Sequence, residues 1–215
     1  MKTVNMETWN RKESFDFFKQ YEYPYFNVCS QVEITKTFQY LDRHNISKYN
    51  AVLWLLCAAA NNVTEIRYRI RKNSVVEHDR LDPAHTFLTD KKLIAFCTTE
   101  YTEDVPLFFK RVNRDKKATG ANPDMKNAPD IDNLLYVSCV PWINFTSVSH
   151  PIKDSSNDSI PRICWGKLTH DREKITMPVS LQLHHALADG YHAGLFFNHL
   201  EKLLEQPESI KWPIE

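Results

Sequence analysis

The stretch Val179-Ser180-Leu181-Gln182-Leu183-His184-His185-Ala186-Leu187-Ala188-Asp189-Gly190-Tyr191-His192-Ala193-Gly194 decides how this chain is read. Val179, Leu181 and Leu183 alternate with Ser180 and Gln182 at the two-residue period of a half-buried strand. Carried one step further, that phase predicts His185 on the apolar face, as the inward imidazole, and His184 on the polar face. From Gly190 onward, Leu195, Phe196, His199, Leu200, Leu203 and Leu204 repeat at helical spacing. The element is predicted as strand, tight turn, helix. The chain has four glycines, and Gly190 and Gly194 both fall here, where a turn and close packing are expected to need them. A glycine-poor chain that concentrates glycine beside a histidine and an aspartate marks a candidate site.

Outward from that turn, strands and helices interleave. Trp9 to Tyr21 suits a short amphipathic helix, and Phe26, Val28, Ser30, Val32 and Ile34 alternate as a strand. Thr35 is expected to cap a helix running through His44, and Tyr49 to Val63 is apolar on nearly all sides, which predicts a buried helix. Ile66 to Ile70 and Val75 to Arg80 flank Arg71-Lys72-Asn73-Ser74 as a hairpin. A strand is expected over Leu93 to Thr99, a helix over Val105 to Lys116, a surface loop over Gly120 to Asn133, and a buried strand from Leu134 to Trp142. Ile163 to Thr169 and Ile175 to His185 pair across His170-Asp171-Arg172-Glu173. No linker divides the 215 residues, so one domain spanning 1–215 is expected, an α/β (α+β) two-layer sandwich with a mixed β-sheet covered by helices.

Composition removes several classes of function. Lys+Arg and Asp+Glu both number 27, so no basic excess is available to hold a polyanion, and nucleic acid is excluded as a partner. The apolar run Ala51 to Ala60 is too short to cross a bilayer and the first residues do not read as a signal peptide, which predicts no membrane partner and a cytoplasmic location. Five scattered cysteines without CxxC spacing read as reduced core residues rather than a disulfide frame or a zinc site.

The chemistry available at the turn is acid–base. A histidine whose lone pair is held toward a hydroxyl can act as general base, and the competing reading is a satisfied core histidine. Asp189 at the turn sets a carboxylate near that imidazole or near a cation that pins the turn. Covalent serine catalysis lacks a GxSxG turn. Metal binding by His184, His185, Asp189 and His192 is disfavoured because the two strand histidines are predicted on opposite faces, leaving too few convergent ligands.

His185-Ala186-Leu187-Ala188-Asp189-Gly190 matches the HxxxDG signature of CoA-dependent acyltransferases, and the flanking residues resemble the chloramphenicol acetyltransferases in particular. Trp9-Asn10-Arg11-Lys12-Glu13-Ser14-Phe15 and Pro141-Trp142-Ile143-Asn144-Phe145-Thr146-Ser147 resemble two further landmarks of that family, in the right order along nearly the whole chain. The resemblance implies the acyltransferase fold and the transfer of acetyl from acetyl-CoA, a co-substrate rather than a tightly bound cofactor, to chloramphenicol, the reaction of antibiotic resistance. It implies His185 as general base and Ser147 as the hydrogen-bond donor to the tetrahedral oxyanion, a role worth several kcal/mol. It also implies an ion pair between Asp189 and Arg11 that holds the turn, Lys48 and Lys167 near the CoA phosphates, Phe17 and Phe18 lining the acceptor pocket, no metal, and a homotrimer with each site at a subunit interface. Leu168, Cys164 and Phe18 replace residues usual in the drug-resistance enzymes, so an acceptor other than chloramphenicol, or a non-catalytic ligand-binding relative, stands as the alternative.

Overall fold

The computed structural model describes residues 1–121, 131–154 and 158–214. In chain order the elements are β1 (Lys2–Thr3), α1 (Lys12–Phe18), β2 (Tyr25–Glu33), α2 (Thr35–Arg43), α3 (Lys48–Asn61), β3 (Tyr68–Arg71), β4 (Ser74–Glu77), β5 (Asp82–Leu88), β6 (Ile94–Thr98), α4 (Val105–Ala121), β7 (Leu134–Val140), β8 (Arg162–Gly166), β9 (Thr169–Asp171), β10 (Lys174–His184) and α5 (Gly190–Glu205). The main sheet runs β2-β10-β8-β7-β5-β6, with β9 extending the β10 pairing. The β8–β7 and β7–β5 pairs are parallel and the others antiparallel, so the sheet is mixed. A second sheet, β1-β4-β3, stands apart.

One face of the main sheet carries Ile175, Met177, Val179, Leu181 and Leu183 of β10 with Ile163 and Trp165 of β8 and Leu135 and Val137 of β7. These pack against α3, α4 and α5 in one continuous core. Eleven residues of α3 are buried, which is why its sequence is apolar all round instead of striped. Each fully buried Leu or Val there removes enough apolar surface from water to contribute about 1.5–3 kcal/mol.

The opposite face of β10 is polar and still buried. Ser180, Gln182 and His184 are each 5% exposed or less. Residues around His150 and Asp158 cover them: the His150 N–H donates to Gln182 Oε1 at 3.0 Å, and Tyr25 Oη donates to the Asp158 carbonyl. Ser180 Oγ donates to Asn27 Oδ1 at 2.7 Å.

Four sequence expectations are corrected here. Thr35 is the first residue of α2 and not its cap; its hydroxyl accepts from the Ile175 N–H at 2.9 Å and so ties α2 to β10. Strand β5 (Asp82–Leu88) was not anticipated, because its core-facing positions include a proline and a histidine. The hairpin begins at Tyr68, since Ile66 and Arg67 belong to a 3-10 turn. Helix α4 continues through Gly120 to Ala121; of the loop expected over Gly120 to Asn133, residues 122–130 lie outside the described residues. No helix among the described residues is long and apolar enough to cross a membrane.

Candidate active site

Strand β10 ends at His184, and the chain then turns through residues 185–188 into α5. Backbone bonds fix the turn. The His185 N–H donates to the Pro24 carbonyl at 2.7 Å, and the Leu187 and Ala188 N–H groups donate to the His184 carbonyl at 3.0 and 3.2 Å. Ala186 and Leu187 pack into a small core with Phe15, Tyr68, Ile70 and Val75, so α1 and the three-stranded sheet support the turn from below. The expectation that Gly190 and Gly194 make the turn is overturned. Neither has a positive φ, and a Cβ at either would meet nothing within 4 Å. The crowded glycine is Gly166, where a Cβ would lie 2.6 Å from the Ile143 carbonyl oxygen and 2.7 Å from Pro178 Cγ.

The two histidines reverse the expected burial. His184 is 5% exposed, accepts from the Ala186 N–H at 3.2 Å through Nδ1, and has its pKa pushed down to about 4 by burial. His185 is only half-buried. Its ring stacks on Phe18 at 3.8 Å between centroids, 9° from parallel, with Phe26 at 4.7 Å. Nδ1 is buried without a partner, whereas Nε2 is not sealed off in this way. The physical reason for the reversal is the cover that the stretches around His150 and Asp158 lay over the polar face of β10.

Asp189 is the N-cap of α5. Its Oδ1 accepts from the Tyr191 N–H at 3.0 Å, and His192 Nδ1 accepts from the Asp189 N–H at 3.2 Å. Its Oδ2 accepts from Arg11 Nη1 at 2.7 Å, with the Arg11 side chain 10% exposed. Of the two partners the sequence left open, the carboxylate meets the cation. Burial on its own would raise the Asp189 carboxyl, but the Arg11 hydrogen bond and His192 hold it below the ordinary value. Arg11 Nε and Nη2 are buried and unpartnered, so Asp189 carries most of the compensation for that charge.

The remaining candidates divide between two cavities. Lys48 and Lys167 both line a cavity of about 400 Å³ bounded by Phe38, Tyr49, Trp165 and Leu168. Lys48 Nζ sits 2.6 Å from Asp42 Oδ1 and 4.3 Å over the Phe38 ring. A third lysine, Lys116, lies 4.3 Å over Tyr49 of that wall; it was missed because nothing in the sequence separates it from solvated lysines of α4. A second cavity of about 620 Å³ opens on the sheet face away from the helices and is lined by Thr86, Phe96, Tyr136, Ser138, Trp142, His150 and Arg162 among others. Cys139 of β7 borders both.

Ser147 borders neither cavity and is exposed on the segment after β7. The serine on the second cavity is Ser138, in the middle of β7; the alternation of β7 sets it on the same face as Tyr136 and Val140. Phe17 is 56% exposed beside Phe18, and neither lines that cavity. The structure thus brings His185, Phe18, Asp189 and Arg11 to one end of β10, and Lys48 and Lys167 to one cavity, without joining the two groups.

A mixed sheet backed by helices, with a histidine turn at the end of one strand, is an acyltransferase-core architecture. The truncated catalytic core of the 2-oxoacid dehydrogenase multienzyme complex from Thermoplasma acidophilum shares it, at a TM-score of 0.66 and 15% identity over 96% of this chain and 99% of that one. A chloramphenicol acetyltransferase structure matches with a TM-score of 0.82 and 25% identity, over 95% of this chain and 100% of its own. An Escherichia coli chloramphenicol acetyltransferase is 27% identical over 95% of this chain and 94% of the relative. The family profile described as chloramphenicol acetyltransferase matches residues 1–201. The chain belongs to the chloramphenicol acetyltransferase family, whose members are acetyl-CoA-dependent acetyltransferases.

Proposed function

We propose that the protein transfers acetyl from acetyl-CoA to the hydroxyl of a small acceptor, with chloramphenicol as the first acceptor to test, and that His185 takes the hydroxyl proton. The observation carrying this reading is the His185 ring, stacked on Phe18 on a turn anchored by Pro24 and the Arg11–Asp189 pair, with Nε2 left open. A base fixed in this way removes the proton as the alcohol attacks the thioester carbonyl, and the CoA thiolate leaves. Arg11 and Asp189 act structurally, by holding the turn. Lys48 and Lys167 supply point charges for the CoA phosphates along the smaller cavity, beside the apolar surface of Phe38 and Trp165. Ser147, on the segment after β7, is the proposed donor to the tetrahedral oxyanion, and Ser138 of β7 lines the larger cavity taken here as the acceptor site.

The site is proposed to form between copies of the chain in a homotrimer. Ser138 is level with Ser180 across the sheet, since both pair with Cys164. From Ser180 to His185 is five residues, about 17 Å along the strand, and two strand spacings add about 10 Å sideways. His185 and Ser138 of one chain thus stand about 20 Å apart, so a chain's own base does not reach this cavity, while a neighbour could bring its His185 to it. A cytoplasmic location accords with this reading.

The test is thiol release from acetyl-CoA with chloramphenicol, using the wild type, Ser138→Ala and Ser147→Ala. Ser147→Ala is expected to lose about 10²–10³ in kcat and Ser138→Ala to keep most of the rate. The reverse order would move the oxyanion role to Ser138. Absence of thiol release with any alcohol would remove the enzymatic reading and leave the ligand-binding one.

A further inference from the structure

We infer that His85 is a positioning residue for the co-substrate, an inference that rests on the acetyl-transfer reading above and names what orients the CoA side of that site. Through hydrogen bonds His85 fixes Tyr49, a wall of the smaller cavity, in the orientation that receives CoA. His85 is 0% exposed at the centre of β5 and is not used by the chemistry assigned to His185. Burial pushes its pKa down to about 3, so its ring is neutral and carries a single N–H. Tyr49 stands in the first turn of α3, directly after Lys48, and lines the cavity together with Lys48, Lys167, Phe38 and Trp165.

Counting protons gives the direction of the hydrogen bonds. Tyr49 Oη donates its one proton to the Thr86 carbonyl oxygen at 2.9 Å, and the same Oη lies 2.9 Å from His85 Nδ1. With the phenol proton committed, Nδ1 carries the ring proton and donates to Oη, which leaves Nε2 to accept from the Thr99 hydroxyl at 3.2 Å. The tautomer is assigned from these partners. Thr99, His85, Tyr49 and Thr86 thus form one relay in which each donor has an acceptor. Two further side chains confine the ring: Lys116 Nζ of α4 sits 4.3 Å over it and 5.2 Å over Phe87, and Trp165 meets it at 5.4 Å and 52°. A phenylalanine at 49 and an apolar residue at 85 would fill similar space; the buried relay adds a fixed orientation. A wall held in this way loses little freedom when CoA arrives, whereas a loose ring must be ordered on binding, at about threefold to tenfold in affinity.

The experiment is calorimetric titration of CoA into the wild type, His85→Asn, His85→Leu and Tyr49→Phe, with melting temperatures taken in parallel. Asn keeps an N–H donor in the place of Nδ1, while Leu has a similar size and no donor. In this buried position Leu is expected to melt higher than Asn, since it brings no unsatisfied amide. CoA affinity is expected in the opposite order. His85→Asn should bind CoA within about twofold of the wild type, and His85→Leu and Tyr49→Phe about threefold to tenfold more weakly. Tyr49→Phe keeps the ring and loses only the hydroxyl, so it decides the matter where a His85 variant fails to fold. Unchanged CoA affinity in Tyr49→Phe or His85→Leu, or affinities that follow the melting temperatures of the two His85 variants, would overturn the inference and leave the acetyltransferase reading standing. Absence of CoA binding by the wild type would overturn both.

Discussion

Replacing Asp189 by Asn keeps a capping side chain on α5, since Asn accepts from the helix N–H groups as Asp does, but removes the charge facing Arg11. Breaking a fully buried pair from one side costs about 3–5 kcal/mol. The Asp189 side chain is 35% exposed, so solvent screens the loss and the cost falls to about 1–3 kcal/mol, including the lost carboxylate at the helix N-terminus. Two other Arg11 nitrogens are already buried without partners, which places the value in the upper half of that range. At about 2–4 °C per kcal/mol for a chain of this size, the melting temperature at pH 7 should drop by about 4–12 °C. Because the Asp189 pKa is lowered on folding, its contribution is present above the unfolded value near 4 and is lost as the pH falls through the folded value. The gap between wild type and Asp189→Asn should therefore be full at pH 7 and close below about pH 4. Adding Arg11→Met should recover part of the loss, since the orphaned cation goes with it. Calorimetry across pH checks this; loss of activity at an unchanged melting temperature, or a gap insensitive to acid, would refute the structural role.

Gly166→Ala should cost about 2–4 kcal/mol, because the new methyl meets a backbone oxygen that cannot step aside, whereas Gly194→Ala, exposed within α5, should gain up to about 1 kcal/mol; chemical denaturation of the two variants measures both. His184, 5% exposed, is buried neutral with its pKa pushed down to about 4, so the unfolded chain binds the extra proton first. The His184 contribution is full above pH 6.5 and declines toward pH 4 by about 1.4 kcal/mol per unit. Because His78, His85 and His150 are lowered by burial as well, His184→Asn should reduce the acid slope in thermal melts by about that amount without abolishing it.

The strand that carries the site was legible because one face of β10 is wholly apolar and packs against helices. The other face misled, since Ser180, Gln182 and His184 are polar yet buried, satisfied by Asn27, the His150 N–H and the Ala186 N–H. Only a segment 30 residues upstream makes them so, and no local pattern announces it. Strand β5 stayed hidden because its central inward residue is His85, held between Tyr49 Oη at 2.9 Å and Thr99 Oγ1 at 3.2 Å rather than by apolar packing. Glycine concentration pointed to the right turn for the wrong reason: the turn is built from alanine and leucine with ordinary backbone, and among the described residues the positive φ angles fall at Asn45, Lys72, Lys92 and Arg172. The pairing of Arg11 with Asp189, 178 residues apart, was readable only through the family resemblance. The same resemblance pointed to Ser147, past the end of β7, a position that no local pattern marks.

The proposed catalysis turns on one imidazole, that of His185, removing one proton. The most direct measurement is the kcat/KM of His185→Gln for acetyl transfer, with its melting temperature taken in parallel. General-base removal predicts a fall of at least about 10²–10⁴ with the fold intact. A rate like that of the wild type, from a folded variant, would contradict it.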